Sequence, residues 1–443
     1  MLSCCCSFRW LGLLGAGGVL LALGWPASWT LAQISFEKEP IQYNTAPAND
    51  PVAQLQAKID AGDLKLDFDQ QSDYLPAVLQ ALKIPISSQM LVFSKTSFQL
   101  RKINPQRPRA VYFRDDVYIG WVQQGDVIEV ASVDPQLGPV FYTLDLEPTE
   151  KPRFVRDQGQ CIVCHASSRT QGVPGLLVRS VFTSASGQPI LGSGTFTIDH
   201  TSPLQNRWGG WYVTGTHGKQ RHMGNVVADK HSTSATINRE LGANVTDLHG
   251  RLDVDPYLTP HSDLVALMVL EHQTQMQNFI TRANYEARSA RWYDAIMNKA
   301  LDRPADHVTD STKRRIETAV EKLVRYLLFV DEAQLTAPLA GTSTFAEDFG
   351  RTALRDQQGR SLRDFDLHTR LFKYPCSYLI YSASFDALPE PVREGVYRRL
   401  WEILSGEDQT PAYDHLSAAD RKAILEILRE TKPGLPAYWT TGG

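Results

Sequence analysis

The chain has 443 residues, with 45 Lys and Arg against 49 Asp and Glu and a formal net charge of −4 at pH 7. That balance leaves no basic footprint for nucleic acid. Apolar residues make up 42% and charged residues 21%, a globular composition able to bury sizeable cores.

Residues 1–32 have the layout of a secretory signal peptide. Arg9 supplies the positive end, an apolar stretch runs from Leu11 to Leu23, and Thr30-Leu31-Ala32 offers a cleavage site before Gln33. The apolar stretch is short against the roughly 20 residues of a membrane span. The expectation is therefore a leader that is removed, an exported or periplasmic protein, and no membrane span in the mature chain. Cys4, Cys5 and Cys6 would leave with the leader, so the mature chain keeps Cys161, Cys164 and Cys376. Three cysteines are too few for a disulfide framework. Cys376 reads as a small buried apolar residue.

The mature length of about 410 residues suggests two or three domains. An N-terminal arm with short helices covers 33–89, with helical spacing over 51–61 and 72–83 on Leu55, Ile59, Leu75, Val78, Leu79 and Leu82. A strand-rich region follows over 90–225. There the apolar period shortens to two in runs such as 111–113, 117–122, 127–130 and 140–144, with further strand-like runs at 176–182, 194–198 and 210–213. Residues 226–443 read as a helical domain. It has one long helix over 263–299, one with Ile316, Val320, Leu323 and Leu327 on its apolar face and a cap at Asp310 or Ser311, and one with Val392, Val396, Leu400, Trp401 and Leu404. A last helix starts at a capping box, Ser417 to Asp420. The expected class is α+β, with an antiparallel strand-rich region ahead of a helical C-terminal domain.

Within the strand-rich region lies Cys161-Ile162-Val163-Cys164-His165. This C-x-x-C-H spacing is the attachment signature of a c-type haem. Two thiols add across the two porphyrin vinyl groups, and the adjacent histidine ligates the iron. A zinc half-site would want a second pair of ligands at short spacing, and a thiol redox pair would want a βαβ context. Neither accompanies the motif. It occurs once, so a single covalent haem is expected.

Over these five residues the chain resembles c-type cytochromes. Over its length, with Trp208-Gly209-Gly210-Trp211-Tyr212 and Pro375-Cys376-Ser377-Tyr378, it is similar to large exported bacterial proteins that contain a cytochrome c domain. The resemblance implies haem c and no defined reaction. Pro152 and Gly159 ahead of the motif disfavour a preceding helix, so an all-helical cytochrome fold is not expected.

The second axial ligand decides between electron transfer and small-molecule chemistry. The loop Thr216–Asn225 holds His217, His222 and Met223 as ligand candidates, with Arg221 and Lys219 placed to pair with haem propionates. His272 is a further candidate, because Leu264, Met268, His272, Met276 and Phe279 fall near one stripe of the long helix. The aromatic residues at 208–212, Tyr118 and Trp121 read as core, and Arg114-Asp115-Asp116 as a turn. No G-x-S-x-G elbow, H-E-x-x-H helix or P-loop is present. Two functions follow: an exported mono-haem protein that passes electrons to a redox partner protein, or a periplasmic haem oxidase, peroxidase or sensor that takes a small molecule at an open iron position.

Overall fold

Six strands built from the apolar runs of 90–156 form one antiparallel sheet. They are β1 (Met90–Val92), β2 (Arg109–Phe113), β3 (Val117–Val122), β4 (Val127–Asp134), β5 (Gly138–Asp145) and β6 (Phe154–Arg156), each beside its sequence neighbour. This is the structure of a computed structural model, which describes residues 35–441. The expected leader lies outside the described residues.

Successive side chains of a strand point to opposite faces, and here both faces are covered. Leu91, Tyr112, Ile119, Trp121, Val130 and Tyr142 pack on the helices α1 (Pro51–Ala61) and α2 (Leu75–Ala81) through Leu55, Ile59, Leu75, Val78 and Leu79. Val111, Phe113, Tyr118, Ala131, Val133 and Phe141 face the C-terminal helices. Coverage on both sides explains why all six residues of β3 are buried.

After β6 the chain makes one short helix, α3 (Ile162–His165), and a two-stranded hairpin of β7 (Arg179–Val181) and β8 (Thr195–Thr197). The stretch 210–213, expected as a strand, instead crosses the sheet edge. It makes an isolated bridge from Trp211 to Val92, and the Tyr212 N–H donates to the Leu91 carbonyl at 2.8 Å. Gly209 and Gly210 allow this crossing. A Cβ on Gly210, at φ +84°, would sit 2.7 Å from Ser94 and Thr183.

The helical part turns on α4 (Leu264–Ala300), 37 residues long and capped by Asp263, whose carboxylate accepts from the Val265 and Ala266 N–H groups at 2.8 and 3.2 Å. Its first half is buried nearly all round, polar side chains included. Those side chains bind backbone and side chains of other elements. Gln273 donates to the Arg114 carbonyl and to the Tyr118 hydroxyl, each at 2.7 Å, and Gln277 donates to the Asp115 carbonyl at 3.1 Å. The β2–β3 turn is thereby held by α4, as well as by an Arg114–Asp116 pair at 2.7 Å and an Arg363–Asp115 ion pair.

The helix α5 (Asp310–Leu327) buries the expected Ile316, Val320, Leu323 and Leu327. Its cap is Thr309, one residue earlier than expected, because Asp294 of α4 accepts the Thr309 hydroxyl at 2.8 Å and fixes the helix start. The short helices α6 (Phe345–Arg351) and α7 (Ala383–Asp386) lead to α8 (Glu390–Leu404) and α9 (Ala418–Thr431), the latter opening on the Ser417–Asp420 capping box. The molecule is α+β. The core on the α4 side of the sheet runs without a break from Met90 to Trp439. No helix among the described residues is long and apolar enough to cross a membrane.

Candidate functional site

The C-x-x-C-H turn begins at Asp157. Its carboxylate accepts from the Gly159, Gln160 and Cys161 N–H groups at 2.9, 3.1 and 3.0 Å, which curls the chain into α3. Within that turn the His165 N–H reaches the Cys161 carbonyl at 2.9 Å. Residues three and four apart on a helical turn are neighbours, so Cys161, Cys164 and His165 share one side of α3. Cys161 is half-buried, Cys164 is exposed, and neither is in a disulfide.

The His165 imidazole lies over the Phe141 ring of β5, with centroids 4.7 Å apart. Its Nδ1 is 2.9 Å from the Gly175 carbonyl oxygen. A carbonyl only accepts, so Nδ1 carries the proton and Nε2 keeps its lone pair. Burial lowers the imidazole's pKa, with the Gly175 carbonyl opposing, which favours the neutral, ligand-competent form. The Gly175 N–H returns a hydrogen bond to the His165 carbonyl at 2.7 Å.

The Cys161 thiol is pushed up to about 12, first by burial and then by the charges of Asp157 and Glu129. A thiol held protonated at neutral pH is a poor redox nucleophile. As a thioether it would bring no charge into this acidic corner.

The ligand candidates beyond His165 are held elsewhere. His217 has both ring nitrogens committed. Nδ1 donates to the Gln220 carbonyl at 2.7 Å, and Nε2 accepts from the Asn244 N–H at 2.9 Å. His222 accepts from the Gly224 N–H at 3.0 Å through Nδ1, which leaves the proton on Nε2. Its ring is buried between Trp208 and His217, and burial pushes it down to about 3. Met223 is fully buried with Phe182, Val226, Ala228 and Ile237, its sulfur 3.9 Å from the Ser180 hydroxyl. Arg221 is paired with Glu240 at 2.7 Å.

His272 sits in a stack of rings. Its Nδ1 is 2.8 Å from Nδ1 of His200, its Nε2 is 2.8 Å from the Ser377 hydroxyl, and the Phe329 ring lies 4.3 Å away. Burial pushes His272 down to about 3 and His200 well below the usual imidazole range. Beside this pair Arg207 and Glu271 make a buried ion pair. Ser377 follows Cys376, which is fully buried. Tyr118 and Trp121 point to opposite faces of the sheet and belong to the two cores.

Sequence reasoning missed the residues that support His165. Asp157 was readable as an Asx turn from Asp157-x-Gly159. Gly175 and Phe141 carried no local signal. Neither did Asn278, whose side chain binds the backbone of Leu176 across 102 residues of sequence. No group of three or more His, Cys, Asp or Glu side chains able to hold a metal ion occurs among the described residues. No family model, curated protein or solved structure matches this chain.

Proposed function

We propose that this protein is an exported mono-haem c-type protein with an electron-transfer role. Cys161 and Cys164 hold the porphyrin by thioether bonds and His165 is the proximal iron ligand. One observation carries the reading: the Gly175 carbonyl accepts a hydrogen bond from His165 Nδ1–H at 2.9 Å, which leaves the Nε2 lone pair uncommitted on a turn that also carries two cysteines outside any disulfide. Haem-ligating histidines need such an acceptor to fix tautomer and ring orientation. The protonated Cys161 thiol supports thioether formation over thiol redox chemistry. When bound, the haem supplies a one-electron couple. The chain's own part is to orient His165, cover one side with Phe141 and bring a redox partner protein to the exposed Cys164 side.

A second reading is a haem oxidase, peroxidase or sensor whose sixth iron position is open to a small molecule. The observation in its favour is that His217, His222, Met223 and His272 are each buried and already engaged. Arg221, the expected propionate partner, is paired with Glu240.

The test is a denaturing-gel haem stain on protein exported from cells competent in haem c attachment, followed by spectra of the oxidised, reduced and carbon monoxide-treated forms. Stain with bands that ignore carbon monoxide supports the electron carrier. Stain with a carbon monoxide shift supports the open-site reading. Absence of stain overturns both.

A further inference from the structure

We propose that Asn278 of α4 is a positioning residue for His165, acting through the backbone at Gly175 and Leu176. The inference rests on the haem reading above. The Asn278 side chain treats Leu176 as a strand neighbour would: its Oδ1 accepts from the Leu176 N–H at 2.8 Å and its Nδ2 donates to the Leu176 carbonyl at 2.8 Å. The same Nδ2 donates to Gln275 at 2.8 Å, which locks the amide's orientation. Asn278 is fully buried, so both bonds are shielded from competing water.

The adjacent residue, Gly175, is the one whose carbonyl holds His165 Nδ1 and whose N–H holds the His165 carbonyl. A glycine is required at that point. A Cβ there would overlap the Asn278 side-chain oxygen and lie 2.8 Å from the Thr170 Cβ. Thr170 closes the same loop by donating to the Val173 carbonyl at 2.8 Å. The loop 166–176 is therefore pinned at one end by α3 and at the other by a rigid helix that also carries the core. The position of the Gly175 oxygen, and with it the direction of the His165 ring, is set by α4 together with the motif's own backbone bond to Gly175.

The chemistry gives a sign. An imidazole that donates Nδ1–H to a well-placed carbonyl is a stronger base at Nε2 and stabilises ferric over ferrous iron. Loosening the Gly175 carbonyl weakens that donation, so the midpoint potential rises.

The experiment compares wild type, Asn278→Leu, Asn278→Gln and Gln273→Leu, each as the full exported chain. Haem stain is read first, then the midpoint potential and the ferric electron paramagnetic resonance spectrum. Asn278→Leu keeps covalent haem, raises the midpoint and broadens the ferric signal. Asn278→Gln, which retains the amide, restores part of the shift. Gln273→Leu breaks an equally buried amide of α4 that faces the β2–β3 turn, and leaves the midpoint where it was. If Asn278→Leu does not fold, Asn278→Ser is read in its place. An unchanged midpoint in the Asn278 variant, or an equal shift in Gln273→Leu, overturns the inference while the stain leaves the haem reading intact. Absence of stain in wild type removes both.

Discussion

The turn Cys161–His165 and the loop Thr216–Asn225 hold between them three histidines, two cysteines and a methionine. They differ in what the imidazole nitrogens are doing. In the turn, a backbone carbonyl takes one nitrogen of His165 and leaves the other. In the loop, His217 spends both nitrogens on backbone groups, and His222 uses one to accept a backbone N–H while its ring is enclosed by Trp208 and His217. Met223 is likewise spent on packing. Residue type names the candidates for a ligand, but the second hydrogen bond of each histidine decides whether it is free to serve. A neutral imidazole offers one lone pair, and a protein that uses it to close a loop has none left for iron.

The largest effect expected on this comparison comes from removing the thiols. A Cys161→Ser, Cys164→Ser double variant exported from cells competent in haem attachment shows no haem stain on a denaturing gel. Retention of stain would show that the covalent site lies elsewhere. Next is Met223→Ala, which leaves a cavity beside Phe182 and Val226 and costs about 2–5 kcal/mol in urea unfolding, with the absorption bands unmoved. A loss of low-spin bands in that variant would instead make Met223 a ligand and reverse the contrast between the two segments.

The buried histidine pair sharpens the point through pH. Burial depresses His272 to about 3, below its unfolded value, so the unfolded chain binds the extra proton first. Stability from this group is complete above about pH 6.5 and falls as pH drops toward 3, at roughly 1.4 kcal/mol per unit. Urea unfolding of His272→Gln should therefore lose about 2 kcal/mol less than wild type between about pH 7 and pH 5. Equal losses in the two proteins would mean that His272 titrates normally. The smallest effect belongs to Arg221→Ala. Its partner Glu240 is exposed, so the unfolding midpoint and the haem spectrum stay as they were. A midpoint-potential shift there would restore Arg221 as a propionate partner.

Much of the scaffold was legible in the residues. The period-two runs became β2 to β5, the apolar stripe of α5 and Val392, Val396, Leu400 and Leu404 of α8 were buried as expected with Trp401 half-buried, α9 opened on its expected capping box, and α1 matched its expected span. These are local signals, because periodicity and capping act within a few residues. The stretch 210–213 departed from its strand-like pattern because it meets the sheet edge only at one antiparallel bridge, Trp211 to Val92, an extent of pairing that alternation alone does not encode. His272 fell on the expected helix. The half of α4 that carries it, however, is buried nearly all round, with Ser377 on His272 Nε2.

By itself the sequence determined the class of fold and the grouping of two thiols and a histidine, since residues in C-x-x-C-H spacing share one helical turn wherever that turn is placed. Only the tertiary structure decided which imidazoles keep a free nitrogen and what orients the one at position 165. Those hydrogen bonds join residues such as Asn278 and Leu176, 102 positions apart, and no local pattern brings such partners together.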